Sequence, residues 1–107
     1  MHNFLLALVI SLLAMTANAE REEYRVVLKN HTFTPAEIQV PVDSLLWLVI
    51  ENKDASAEEF ESKDLHREKI IAAGKTAKIK IGPLKTGVYK FMGTFNPGTA
   101  QGVVIAK

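Results

Sequence analysis

The stretch Thr76-Ala77-Lys78-Ile79-Lys80-Ile81 alternates polar and apolar side chains without a break. A period of two is what a β-strand with one wet and one buried face demands, and a helix cannot satisfy it. The same pattern recurs along the chain. Tyr24-Arg25-Val26-Val27-Leu28 carries β-branched and aromatic residues at strand density, Glu37-Ile38-Gln39-Val40 alternates, and Val88 to Met92 and Val103 to Ile105 read as further extended segments. Leu45-Leu46-Trp47-Leu48-Val49-Ile50 is apolar throughout, the mark of a central strand covered on both faces, which puts Trp47 in the core. Thr34-Pro35, Pro41 to Ser44, Ala72 to Lys75, Gly82 to Gly87 and the Gly93 to Gly102 loop supply the turns between runs. Short strands at regular spacing, with no helical period, predict an all-β sandwich of Greek-key type.

Ahead of this pattern, Phe4 to Met15 is apolar, and the small-x-small triplet Ala17-Asn18-Ala19 stands just before Glu20-Arg21-Glu22-Glu23. These features predict a secretory signal peptide over residues 1–19, cleaved after Ala19, although His2 stands where Lys or Arg is usual. The apolar stretch is shorter than the roughly twenty residues of a membrane helix, so no stable membrane anchor is expected after cleavage. Residues 20–107 then form one domain with a single modest core, working in the periplasm. The chain has no Cys, which rules out disulfides, thiol redox chemistry and thiolate metal ligation.

The formal net charge is +1, and no basic face interleaved with aromatics stands out, so nucleic acid is not an expected partner. Charge is nonetheless uneven. Glu51, Asp54, Glu58, Glu59, Glu61, Asp64 and Glu68 crowd one stretch, whereas from Lys69 to Lys107 every charged residue is Lys. One acidic and one basic edge are expected if the segregation survives folding. The chain has no Gly-x-Ser-x-Gly elbow and no phosphate loop, and it reads as a binding protein rather than an enzyme.

Phe33-x-Pro35, Ile38-x-Val40, a hydrophobic strand ending in Glu51-Asn52, and Tyr89-x-Phe91 followed by a Gly/Pro loop and Gly102-Val103-Val104-Ile105 together resemble the cupredoxins. The resemblance spans nearly all of Tyr24 to Lys107 and implies their sandwich fold. A blue-copper site takes two imidazoles, a thiolate and a weak axial ligand. By that resemblance Glu58 and Asn96 stand at the two His positions, Gly93 at the Cys and Ala100 near the axial Met. An ordinary blue-copper electron carrier is therefore not expected. Glu58 to Ser62, Leu65-x-Arg67-Glu68-Lys69, Gly82-Pro83-Leu84-x-x-Gly87-x-Tyr89-x-Phe91 and Phe95-x-Pro97-x-Thr99-Ala100-x-Gly102 are similar, more narrowly, to EfeO-type cupredoxin-like domains of bacterial iron uptake. That implies handling of iron or copper ions, with an iron permease or a periplasmic metal-binding protein as partner. The domains it resembles tend to carry Glu at the position of Thr94 and His at that of Asn96.

Carboxylates and imidazoles suit iron and oxidised copper, so Glu59, Glu61, His66 and Glu68 are the candidate metal ligands. If Glu58 to Ser62 is extended, Glu59 and Glu61 share one face and Glu58 and Phe60 the other. If Leu65 to Lys69 is extended alongside, His66 and Glu68 join them. Two alternatives stay open. Glu59 and Glu61 pair with Arg67 and Lys69 as an ordinary ion-paired surface, or the domain is a metal-free module that docks a permease or periplasmic partner through its charges. Thr94 and Asn96 are expected to hydrogen-bond within their own loop, and Met92 to pack.

Overall fold

The structure, a computed structural model, describes residues 21–107; the signal-peptide reading of residues 1–19 lies outside them. Nine strands follow in chain order: β1 (Glu22–Lys29), β2 (Thr32–Thr34), β3 (Glu37–Val40), β4 (Leu46–Asn52), β5 (Glu58–Ser62), β6 (Arg67–Ile71), β7 (Thr76–Ile81), β8 (Gly87–Gly93) and β9 (Gln101–Ala106). No helix occurs among the described residues. The strands form a four-stranded sheet, β2-β1-β4-β7, and a five-stranded sheet, β3-β9-β8-β5-β6. Both sheets are mixed. β1 runs parallel to β4 with Tyr24 opposite Leu48, and β3 runs parallel to β9 with Ile38 opposite Val104.

The alternating residues meet between the sheets. Val26 and Leu28 of β1, Leu46, Leu48 and Ile50 of β4, and Ile79 and Ile81 of β7 face Phe60 of β5, Phe91 of β8 and Val104 of β9 in one core. Phe91 bridges the layers: its ring meets Phe33 edge-on at 5.1 Å and Phe60 at 5.3 Å between centroids. Such pairs add about 0.5–1.5 kcal/mol each beyond the area they bury.

Trp47 corrects the sequence expectation. β4 is central, between β1 and β7, yet only Leu46, Leu48 and Ile50 enter the main core, while Trp47 is half-buried on the outer face. Lys78, Arg21 and Lys80 lie over its ring at 4.8, 5.5 and 5.5 Å. An unbroken apolar run hides the strand period, and here the aliphatic stems and charges of neighbouring cations cover the outward ring instead of a second layer.

Candidate functional site

Glu58 and Glu59 are consecutive residues of β5, so pleating sends their side chains to opposite faces. Glu58 points inward and is only 2% exposed. A carboxylate can be buried there because donors surround it. Its Oε1 accepts from the backbone N–H of Glu59 at 2.9 Å and of Phe95 at 2.8 Å, and its Oε2 accepts from Asn96 Nδ2 at 2.9 Å. Gly93 leaves room for it: a Cβ there would lie 2.5 Å from Glu58 Cδ and 2.8 Å from the Ala100 Cβ.

Glu58, Gly93, Asn96 and Ala100 thus converge at one buried point, as the cupredoxin resemblance implies for these positions. What converges is a carboxylate, an amide, a glycine and an alanine, already joined by hydrogen bonds. With no thiolate and no imidazole, this set does not fit a blue-copper ion.

Glu59 and Glu61 point the other way, onto the outer face of the five-stranded sheet. β6 pairs antiparallel with β5 and sets Glu68 directly opposite Glu61 and Ile70 opposite Glu59. Carboxylate oxygens of Glu59, Glu61 and Glu68 lie within 4.8 Å of one another. Thr94 Oγ1 donates to Glu59 Oε1 at 2.6 Å and fixes one member of the group. The Glu68 carboxyl is held above its ordinary range, first by a hydrogen bond shared with Glu59, then by the negative charge of Glu59, with desolvation and Glu61 adding to it. Like charges this close oppose full ionisation, and a bound cation would relieve them.

Of the four ligands expected from sequence, the structure brings together Glu59, Glu61 and Glu68, and His66 contributes no atom to the group. β6 begins at Arg67, and His66 sits in the preceding turn with φ +55°. A left-handed residue breaks the alternation that was to place it beside Glu68. Nor do Glu59 and Glu61 form the ion pairs considered as an alternative: among the described residues, salt bridges link Arg25 and Lys78 to Glu23, and His31 to Asp54. Arg67 instead donates from Nε to the Lys80 carbonyl at 2.8 Å and from Nη1 to the His66 carbonyl at 2.9 Å. Thr94 and Asn96 were expected to bond within their loop, but both reach across it to the β5 carboxylates. No spacing rule joins residues so far apart in sequence. Their small polar side chains beside glycines were the only local signal. Met92 is exposed on the same outer face, opposite Glu61.

A two-sheet sandwich with a closed, carboxylate-filled end and an acidic outer group defines a cupredoxin-like protein, and the chain has no Cys to supply a thiolate ligand. The chain belongs to the cupredoxin-like domain family, whose pattern it matches over residues 3–106. An uncharacterised protein of Rickettsia prowazekii is 43% identical over 83 residues, which cover 78% of this chain and 66% of that protein, so the chain spans just under two thirds of its relative's length. Among solved structures, the metal-binding domain of the Cu(I)-exporting P-type ATPase CopA from Streptococcus pneumoniae D39, with Cu(I), superposes with a TM-score of 0.71. It is 15% identical, with 79% of this chain and 84% of that one covered. A purple cupredoxin from Nitrosopumilus maritimus gives a TM-score of 0.61 at 17% identity, covering 78% and 98%. At these identities the two structures share the fold.

Proposed function

We propose that this protein is an exported, periplasmic, non-enzymatic metal-handling accessory of the EfeO type. It holds an iron or copper ion weakly at Glu59, Glu61 and Glu68 and passes it to an iron permease or a metal-binding partner. One observation carries the reading: three carboxylates from two paired strands converge on a solvent-facing surface with no cationic side chain bridging them among the described residues. Oxygen-only donors favour hard and borderline cations such as iron and oxidised copper over Cu(I). Exposure of the group suits rapid exchange. The Cu(I)-bound neighbour of this fold supports a metal role.

Calorimetric titration of the mature protein with ferrous iron under anaerobic conditions, and with cupric ion, tests the reading. Replacing Glu59, Glu61 and Glu68 together by Gln is expected to abolish binding, and His66→Ala to leave it within about twofold, since a group outside the ligand set contributes little. Unchanged affinity in the triple variant would overturn the proposal. A metal-free docking role is favoured by Ile70, Met92 and Phe95, which are 60%, 39% and 55% exposed; Ile70 stands opposite Glu59 and Met92 opposite Glu61. It expects no cation affinity but salt-sensitive association with a permease or periplasmic partner.

A further inference from the structure

We infer that Glu58 organises the Gly93 to Gly102 loop, its buried carboxylate gathering the loop's donors around one point and holding the loop closed with no metal. The loop's own bonds make a compact turn: Asn96 N–H donates to the Gly93 carbonyl at 3.2 Å, Ala100 N–H to the Asn96 carbonyl at 2.9 Å, and Gly93 N–H to the Ala100 carbonyl at 2.9 Å. None of these ties the tip of the turn to the sheet. Glu58 does so, through the Phe95 N–H and the Asn96 amide, and the Thr94 N–H to the Glu59 carbonyl at 2.9 Å continues the seam. Glu58 Oε1 accepts from the Glu59 and Phe95 N–H groups and Oε2 from Asn96 Nδ2, so three protein donors already meet its charge. Gly93 and Glu58 are also sterically matched, because any Cβ on residue 93 meets the Glu58 carboxylate carbon at 2.5 Å.

The experiment is amide hydrogen exchange on the mature protein, with and without cupric ion or chelator, combined with thermal unfolding. It reads the loop rather than cation binding at Glu59, Glu61 and Glu68, and stands or falls separately from that proposal. In the unsubstituted protein the Phe95 amide is expected to be protected to the same degree under all three conditions. Glu58→Ala is expected to speed its exchange about tenfold or more, the consequence of leaving buried donors unpaired, while the Ile79 amide in β7 stays protected. Gly93→Ala is expected to lower the unfolding midpoint, and to lower it less once Glu58 is Ala.

Should Glu58→Ala fail to fold, Asn96→Ala, which removes the donor to Oε2 and leaves the carboxylate in place, is expected to speed Phe95 exchange by a smaller factor. Phe95 protection that depends on added metal, or that survives loss of the Glu58 carboxylate, would overturn the inference.

Discussion

Glu68 carries two consequences of opposite sign. Its pKa is raised in the folded protein, chiefly by the hydrogen bond with Glu59 and by the charge of Glu59. Ionising it therefore costs stability: the penalty is absent below the ordinary glutamate value and is complete once pH rises above the folded value. Glu68→Gln is expected to raise the thermal midpoint of the metal-free protein at neutral pH, to leave it unchanged in acid, and to weaken cation binding. A purely structural residue would not trade stability against affinity in this way. Asp54 behaves conversely. The His31 N–H at 2.9 Å, followed by the Asn30 N–H at 2.6 Å and the charges of His31 and Lys29, hold its carboxyl below the ordinary aspartate range. The stability this gives is complete above the ordinary value and is lost as pH falls through the folded one. Asp54→Asn is thus expected to lower the midpoint at neutral pH and to be neutral in strong acid, as read by thermal unfolding across pH. His31 sits in the turn between β1 and β2 with a φ of +57°. Its anchor, 23 positions away, was not legible in the sequence, because no local pattern encodes which carboxylate receives a turn's free N–H groups.

Strand periodicity made most elements readable, since burying one face against the other sheet forces residues at i and i+2 to share a side. It correctly divided Glu58 and Phe60 from Glu59 and Glu61, and the structure adds that β6 lies alongside with Glu68 facing Glu61. It failed at His66 and Trp47 for different physical reasons. A left-handed turn residue resets the phase of alternation, and a run apolar on both faces has no phase to read. Phe91 shows how far the elements depend on one another, because its ring packs against the Phe rings of both β2 and β5 and it is 3% exposed. Phe91→Ala is expected to cost about 3–5 kcal/mol, a large-to-small change in a site that cannot collapse when two rings from different sheets frame it. Urea unfolding checks this: the midpoint should fall with the slope unchanged, whereas a loss under about 1 kcal/mol would mean that the sheets repack without the ring.

The charge segregation seen along the chain survives folding in part, as a polarity across the sandwich, with Glu51 of the acidic stretch set outward on the more basic sheet. Along the strands of the five-stranded sheet, Glu37, Glu59, Glu61 and Glu68 point outward by their registers, with Lys90 as the cation among them. On the outer face of the other sheet, Arg21, Lys78 and Lys80 surround Trp47, and Glu23 engages Lys78 at 2.9 Å. A cation approaching from solution is drawn to one face and repelled from the other, which raises its local concentration at the carboxylate group. The reach of this effect is limited. Sheets in a sandwich pack about 10 Å apart, and the screening length is about 8 Å at physiological ionic strength, so charges on the far face are largely screened. Lys90 is near enough to act, since it lines the same surface depression as Glu61. Lys90→Glu is accordingly expected to tighten divalent cation binding about threefold at low salt, with the gain fading as salt rises. Lys80→Glu, across the sandwich, is expected to change affinity by less than about 1.5-fold at physiological salt. Titrations of both variants across ionic strength decide between local and global electrostatics. Equal effects would show that net charge governs binding, whereas an effect confined to Lys90 ties it to the face on which Glu59, Glu61 and Glu68 meet.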